Sequence, residues 1–331
     1  MITANRLIEK IADIDNLRLA FWKASKGKTS KRSVREYREN LQQNLLLLQH
    51  QITSGDVAVG NYHFFTIFDP KERIICSSDF SERVLHHAIM NICAEYFERK
   101  QISHSYACRI NKGTYAALDK AKEYSKKYTW CIKLDFRKYF ESIKHEDLIL
   151  SLQKVFKDKK LLAIFEKIIR SYHYETGQGI PIGNLSSQYF ANHFLSSADH
   201  DALEKLGAKA YIRYIDDVFM WDNDKKRLLE IEKKYRDYCE KDLKLELKPL
   251  IINKIKYGIV MLGYKLYRQK VKLAKRSKMR FEKKYDEYLS NYIGGIWTQK
   301  QYQNHLEPLF AFIDHAETNN LKKKVLSLSG Q

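Results

Sequence analysis

Apolar positions recur at helical spacing through the first fifty residues, where Leu41, Leu45 and Leu48 form a stripe beneath a polar, basic face. A Lys/Ser/Gly segment at 25–33 reads as a mobile link. The period then shortens to that of β-strands over 62–68 and 73–76, which Asp69-Pro70 splits as a turn. Helical patterning returns over 81–100. A β-rich run at 130–134 ends on Asp135 and is followed by helical segments to about 172. Gly177 to Gly183 is a glycine-punctuated loop, after which Asn184 or Ser186 caps a helix that Gly207 stops. Two further runs, 211–215 and 218–221, flank Asp216-Asp217 and predict a tight hairpin with two acids at its tip. A helix over 224–241 and β-like runs over 243–252 and 257–267 complete the pattern before a helical tail.

Composition changes this picture mainly through charge. The chain has 331 residues, with 59 Lys+Arg against 40 Asp+Glu and a net charge of +19. That balance is too basic for an ordinary metabolic enzyme and favours polyanionic partners, nucleic acid or an anionic membrane. From residue 265 onward stand 14 basic and 6 acidic residues, and seven basic but no acidic ones fall between Arg268 and Arg280. With 44% hydrophobic residues the chain can bury a sizeable core. No leader-like apolar segment or membrane-length run occurs. The five cysteines never fall in Cys-x-x-Cys spacing, so neither a disulfide framework nor a zinc site is expected, and the thiols read as reduced and cytosolic.

Asp135 and Asp216 lie 81 positions apart, and only adjacent strands could unite them. Alone, Asp216-Asp217 would be a solvated turn. Together, carboxylates crowded at strand ends repel one another unless divalent cations neutralise them, and such hard oxygen ligands suit Mg²⁺. Two such ions could activate a 3′-hydroxyl and stabilise a pyrophosphate leaving group.

Tyr214-Ile-Asp-Asp217 resembles the Tyr-x-Asp-Asp motif of reverse transcriptases, and Cys131-Ile-Lys-Leu-Asp135-Phe-Arg-Lys-Tyr-Phe140 resembles their first palm motif. Further similarity lies in Pro70 to Ile74, Ser105 to Thr114, Gly179 to Gln188 and Leu262-Gly263-Tyr264. Ser-Tyr-Ala-Cys-Arg109 with Lys-Gly-Thr114, and Ile182-Gly-x-x-x-Ser-Gln188, are similar to the strings of diversity-generating retroelement enzymes, relatives of group II intron and retron reverse transcriptases.

The resemblance implies an α+β right-hand polymerase, with fingers and palm over 1–264 and a helical basic thumb over 265–331. It implies two Mg²⁺ ions, replaceable by Mn²⁺ in vitro, held by Asp135, Asp216, Asp217 and the carbonyl of Phe136, with dNTPs as substrates. Lys71 and Arg73 would clamp the triphosphate, and Phe140 would exclude a 2′-hydroxyl, with core packing of Phe140 or Tyr139 as the alternative. Ile182 and Gly183 would line the nucleotide pocket. Ile182 stands where most relatives carry a glutamine, and Gln188 where they carry a proline, so copying at template adenines is expected to be error-prone. Leu262, Gly263 and Tyr264 would grip the primer, and Lys275, Arg276, Lys278 and Arg280 the RNA/DNA hybrid. Arg109 would serve as a template contact or a structural one. Leu243-x-Leu-x-Leu247 lacks the family's lysine just beyond it, where Leu250 stands; Lys248 or Lys254 could approach the triphosphate instead, and neither is assigned.

Expected partners are a template-repeat RNA and a small basic accessory protein forming a pentameric helical barrel, in a cytoplasmic, bacterial or phage setting, with no membrane. The thumb-like end implies no RNase H, endonuclease or maturase extension. Two other readings keep part of these features: a retron-like or abortive-infection reverse transcriptase, and a catalytically idle RNA-binding protein.

Overall fold

A computed structural model describes residues 6–68 and 72–328. The chain opens with four helices, α1 (Leu7–Ile11), α2 (Ile14–Ser25), α3 (Arg32–Glu39) and α4 (Leu41–Ser54), whose buried positions include the predicted Leu45 and Leu48. Strands β1 (Tyr62–Ile67) and β2 (Arg73–Ser78) form an antiparallel hairpin leading into α5 (Phe80–Glu98). The predicted Asp69-Pro70 turn and Lys71 lie outside the described residues.

After α6 (Thr114–Lys127), the sheet strand β3 (Trp130–Asp135) gives way to α7 (Tyr139–Ser142), α8 (His145–Gln153) and α9 (Lys159–Arg170). Next come α10 (Leu185–Phe194) and α11 (Ser196–His200), continued by a π-turn to Lys205. Asn184 precedes α10 without a side-chain capping bond. The hairpin β4 (Ala210–Tyr214) and β5 (Asp217–Asp222) is followed by α12 (Lys225–Lys241), whose first amides are capped by the Asp224 carboxylate.

The 243–252 run departs from expectation. Only β6 (Ile251–Lys254) is a strand, while Leu245 and Leu247 are buried from an irregular segment that follows the end of β3 through Lys248 N–H to Asp135 O and Arg137 N–H to Glu246 O. Pro249 has no N–H to continue such a ladder. The strand order is β4-β5-β3-β6, antiparallel throughout, so β3 and β5 are the central pair.

Period-two alternation divides that sheet between two cores. Ile132, Leu134, Tyr211, Val218 and Met220 join the large helical core, whereas Cys131, Ile212, Phe219 and Trp221 pack with α6 and a second sheet. That second sheet contains β7 (Ile259–Met261), β8 (Tyr264–Leu266) and β9 (Val271–Leu273). A boundary at 264/265 therefore falls inside β8, and the basic tail is not helical from its start. Its helices are α13 (Lys275–Ile293), α14 (Gln299–Asp314) and α15 (Asn319–Leu328), with a small core of Phe281, Tyr285, Ile313, Leu321 and Val325. Among the described residues no helix is long and apolar enough to cross a membrane.

Candidate active site

Strand register unites the carboxylates. Asp135, last in β3, pairs across the sheet with Asp217, first in β5, so their side chains share one face. Tyr214 also pairs with Asp217, leaving Ile215 and Asp216 as a two-residue turn. Such turns need a positive φ at the first position, normally supplied by glycine. Here Ile215 supplies it at φ 56°, an unfavourable conformation for a β-branched residue that costs roughly 1–3 kcal/mol.

The electrostatics oppose this gathering of acids. Burial, then Asp217, then Asp135 push the Asp216 carboxyl up from its ordinary 3.8 to about 6, against the opposing pull of a backbone hydrogen bond and Lys248. Two ammonium groups offset the other charges: Lys133 Nζ lies 2.7 Å from Asp217 Oδ1 and Lys248 Nζ 2.8 Å from Asp135 Oδ2. Among the described residues no three His, Cys, Asp or Glu side chains enclose a metal position by themselves. The donor set nevertheless suits Mg²⁺, which takes one or two carboxylates and completes its shell with water and substrate phosphate. The lysine ammoniums are stand-ins for that positive charge. Phe136 is buried against Tyr139, so only its backbone could contribute.

The other predicted residues fall at several distances from this centre. Cys76 N–H donates to Ile182 O at 2.9 Å, joining the Ile182–Gly183 segment to β2. A Cβ at Gly183 would stand 2.3 Å from Cys76 O and 3.2 Å from Ile75 Cγ2, and φ is 135° there, so only glycine fits. Arg73 lies two positions from Ile75 on the same strand face and is exposed. Tyr139 is core, its hydroxyl donating to Ala191 O, whereas the adjacent Phe140 is half-buried. Gln188 Oε1 accepts from Cys108 Sγ at 3.4 Å.

Arg109 is turned onto the protein itself. Its guanidinium pairs with Glu98 at 2.6 Å and donates to the carbonyls of Ser105 and Ile102, which holds its own loop and leaves no donor fork directed at a template. Leu262 and Gly263 form the two-residue turn between β7 and β8, both with positive φ, and Tyr264 is buried with its hydroxyl donating to Phe312 O. A Cβ on Gly263 would meet Ser277 and Phe312, so this turn is packed directly on α13 and α14. Lys275, Arg276 and Lys278 are exposed along the first turns of α13, and Arg280 is partly covered.

Lys133 beside Asp217 had no assigned role in the motifs, and Lys248 beside Asp135 is one of the two lysines that the sequence left open. Alternation along β3 already places Lys133 on the Asp135 face. Lys248 reaches the site because its backbone follows Asp135, whereas Lys254 lies over the Trp130 ring at 5.1 Å.

Residues 69–281 match the model of the reverse transcriptase (RNA-dependent DNA polymerase) family. The chain is 30% identical over 148 residues to the putative COX1/OXI3 intron 2 protein of Saccharomyces cerevisiae, covering 42% of this chain and 16% of that protein. It is 23% identical over 212 residues to that organism's putative COX1/OXI3 intron 1 protein, covering 59% and 25% respectively. Nuclear intron maturase 1, mitochondrial, of Arabidopsis thaliana is 27% identical over 100 residues, 30% of this chain and 14% of that protein. The chain thus spans a quarter or less of these relatives. In fold it is similar to apo telomerase of Candida tropicalis, with a TM-score of 0.51 at 12% identity over 70% of this chain and 52% of that one. The telomerase of the same organism in complex with a TWJ fragment of telomeric RNA gives 0.50 at 12% identity, over 86% and 58%.

Proposed function

The chain belongs to the reverse transcriptase family, and from that premise we propose that it copies an RNA template into cDNA at Asp135, Asp216 and Asp217. The observation carrying this reading is the β3–β5 register, which brings Asp135 and Asp217, 82 positions apart in sequence, onto one face beside the half-buried Asp216, whose carboxyl is pushed upward. The family uses divalent metals and dNTPs; when bound, such ions stabilise charge on the attacking 3′-oxygen and the leaving pyrophosphate.

The chain's own residues supply the rest. Asp135 and Asp217, paired across the sheet, would hold the ions with Asp216, and Phe140 presents an aromatic edge to the sugar, where a 2′-hydroxyl separates RNA from DNA precursors. Arg73 holds the triphosphate from the fingers hairpin, and Lys71 is assigned the same ligand from the motif alone. Lys248, within reach of Asp135, can meet the same phosphates once its carboxylate partner is taken by metal. The Leu262-Gly263-Tyr264 turn holds the primer end, and the thumb helix bearing Lys275, Arg276, Lys278 and Arg280 lies along the hybrid.

The role this reading favours is mutagenic copying of a template-repeat RNA for a diversity-generating retroelement, with a small basic accessory protein as partner. Its support is the Ser105 to Thr114 string and the pair Ile182 and Gln188. An aliphatic Ile182 cannot hydrogen-bond the nascent base pair, which weakens geometric checking. The similarity to intron proteins favours a second role, that of an intron-associated reverse transcriptase. Sequencing cDNA made from an RNA rich in all four bases separates them. Misincorporation concentrated opposite adenine is expected; an even, low error rate across the four bases would contradict the mutagenic role.

A further inference from the structure

Arg213 and Asp199 are both fully buried, 0% exposed, and joined by three short contacts of 2.6 to 2.9 Å. A buried pair of this kind gains little over well-packed apolar residues, so fold stability alone gives a weak reason for it. The guanidinium's remaining bonds give a stronger one. Arg213 Nη1 donates to Asn192 Oδ1 and to Ile215 O, each at 3.0 Å, and Nη2 donates to Gln101 Oε1 and Asn192 O. Asp199 also accepts from the Tyr211 hydroxyl at 2.6 Å, which fixes the carboxylate.

Ile215 O belongs to the one residue of the acid-bearing turn that is held in the left-handed region. Left unrestrained, a β-branched residue relaxes out of that region and rotates the following peptide. Repulsion among Asp135, Asp216 and Asp217 adds to the strain on the turn. A rigid guanidinium anchored on α10, α11 and the segment after α5 opposes both. Its strand position adds to the bracing, since Arg213 N–H donates to His104 O and Tyr106 N–H to Arg213 O.

We infer that Arg213, locked by Asp199, is a positioning residue for the catalytic turn: its bond to Ile215 O holds the conformation that presents Asp216 beside Asp135 and Asp217. This inference rests on the polymerase reading of the three aspartates. It makes the site's metal affinity depend on a residue that touches neither metal nor substrate, as orienting groups behind metal ligands commonly do.

The test uses the full chain and three readouts: Mn²⁺ binding followed by electron paramagnetic resonance without nucleotide, melting temperature, and primer extension. Asp199→Asn with Arg213→Gln removes both charges together and so leaves no lone buried ion. Its Mn²⁺ affinity is expected to fall about 10- to 100-fold. Tyr211→Phe, which loosens the same carboxylate but leaves the Ile215 bond, should lower the melting temperature with Mn²⁺ affinity unchanged. Adding Ile215→Gly to the paired variant should recover most of the lost affinity, because glycine adopts the left-handed turn without restraint. Should the paired variant not fold, Arg213→Lys keeps the charge but loses the fork, and the same loss and recovery are expected of it. A folded variant with wild-type Mn²⁺ affinity, or a loss that Ile215→Gly leaves untouched, overturns the positioning role. Absence of both Mn²⁺ binding and extension in the wild type would instead overturn the polymerase reading beneath it.

Discussion

Asp216 is held where its charge is least welcome, and that sets its pH behaviour. Its carboxyl lies at about 6 in the folded chain against an ordinary 3.8, so the folded state binds the proton more tightly than the unfolded one. Stability from this group is therefore highest below pH 4, falls as pH rises toward 6, and is lowest above it, by at most about 3 kcal/mol. Asp216→Asn should match the metal-free wild type in melting temperature near pH 4 and exceed it above pH 6, and Mg²⁺ should raise the wild-type value only. A melting series across that range checks this. At Ile182 the expectation is chemical. Ile182→Gln restores a hydrogen-bonding group and should cut misincorporation opposite adenine about tenfold, the value of one contact of about 1.4 kcal/mol; an unchanged error spectrum would place fidelity elsewhere. The three aspartates were legible in the sequence because their motif is local on each strand. Arg213 was not, because its partners Gln101, Asn192 and Asp199 are dispersed in sequence, and an arginine in a β-like run otherwise reads as a solvated charge.

Among the elements, β3 and β5 followed their apolar runs closely because both faces of the sheet are covered, one by each core. The segment 243–250 alternates in burial without pairing as a ladder, so a period-two pattern there marked coverage of the core and not a strand. The 264/265 position lies within β8, and charge composition changes there before the backbone becomes helical: Lys265, Arg268, Lys270 and Lys272 belong to β8, β9 and the turn between them. The junction of β2 with the Ile182–Gly183 segment gives a prediction at this scale. Gly183→Ala must move β2 away from the loop, since its methyl would overlap Cys76 O. It should raise the KM for dNTPs several-fold and destabilise the fold by about 1–3 kcal/mol. Steady-state extension kinetics with a parallel melt would check both parts.

For the molecule as a whole, the charge of +19 acquires a distribution. Basic side chains line the first turns of α13, beside the Leu262–Gly263 turn, while Asp135, Asp216 and Asp217 sit at the junction of β3, β4 and β5. Hybrid binding should then be strongly salt-dependent, and Lys275→Glu with Lys278→Glu should weaken it uniformly across sequences. Each lost phosphate contact should reduce the log–log salt slope by about 0.7–0.9; binding measured from 50 to 200 mM salt would check it, and an unchanged slope would move the hybrid off this helix. The central claim is that this chain joins deoxynucleotides on an RNA template through the three aspartates. Its most direct measurement is single-nucleotide extension of a primer annealed to RNA, with Mg²⁺, by wild type and by Asp216→Asn shown to be folded. Extension by the wild type, abolished by chelation, is expected, with a loss of about 10³-fold or more in the variant, the several kcal/mol that metal-assisted charge stabilisation supplies. Equal extension by the two proteins would contradict it.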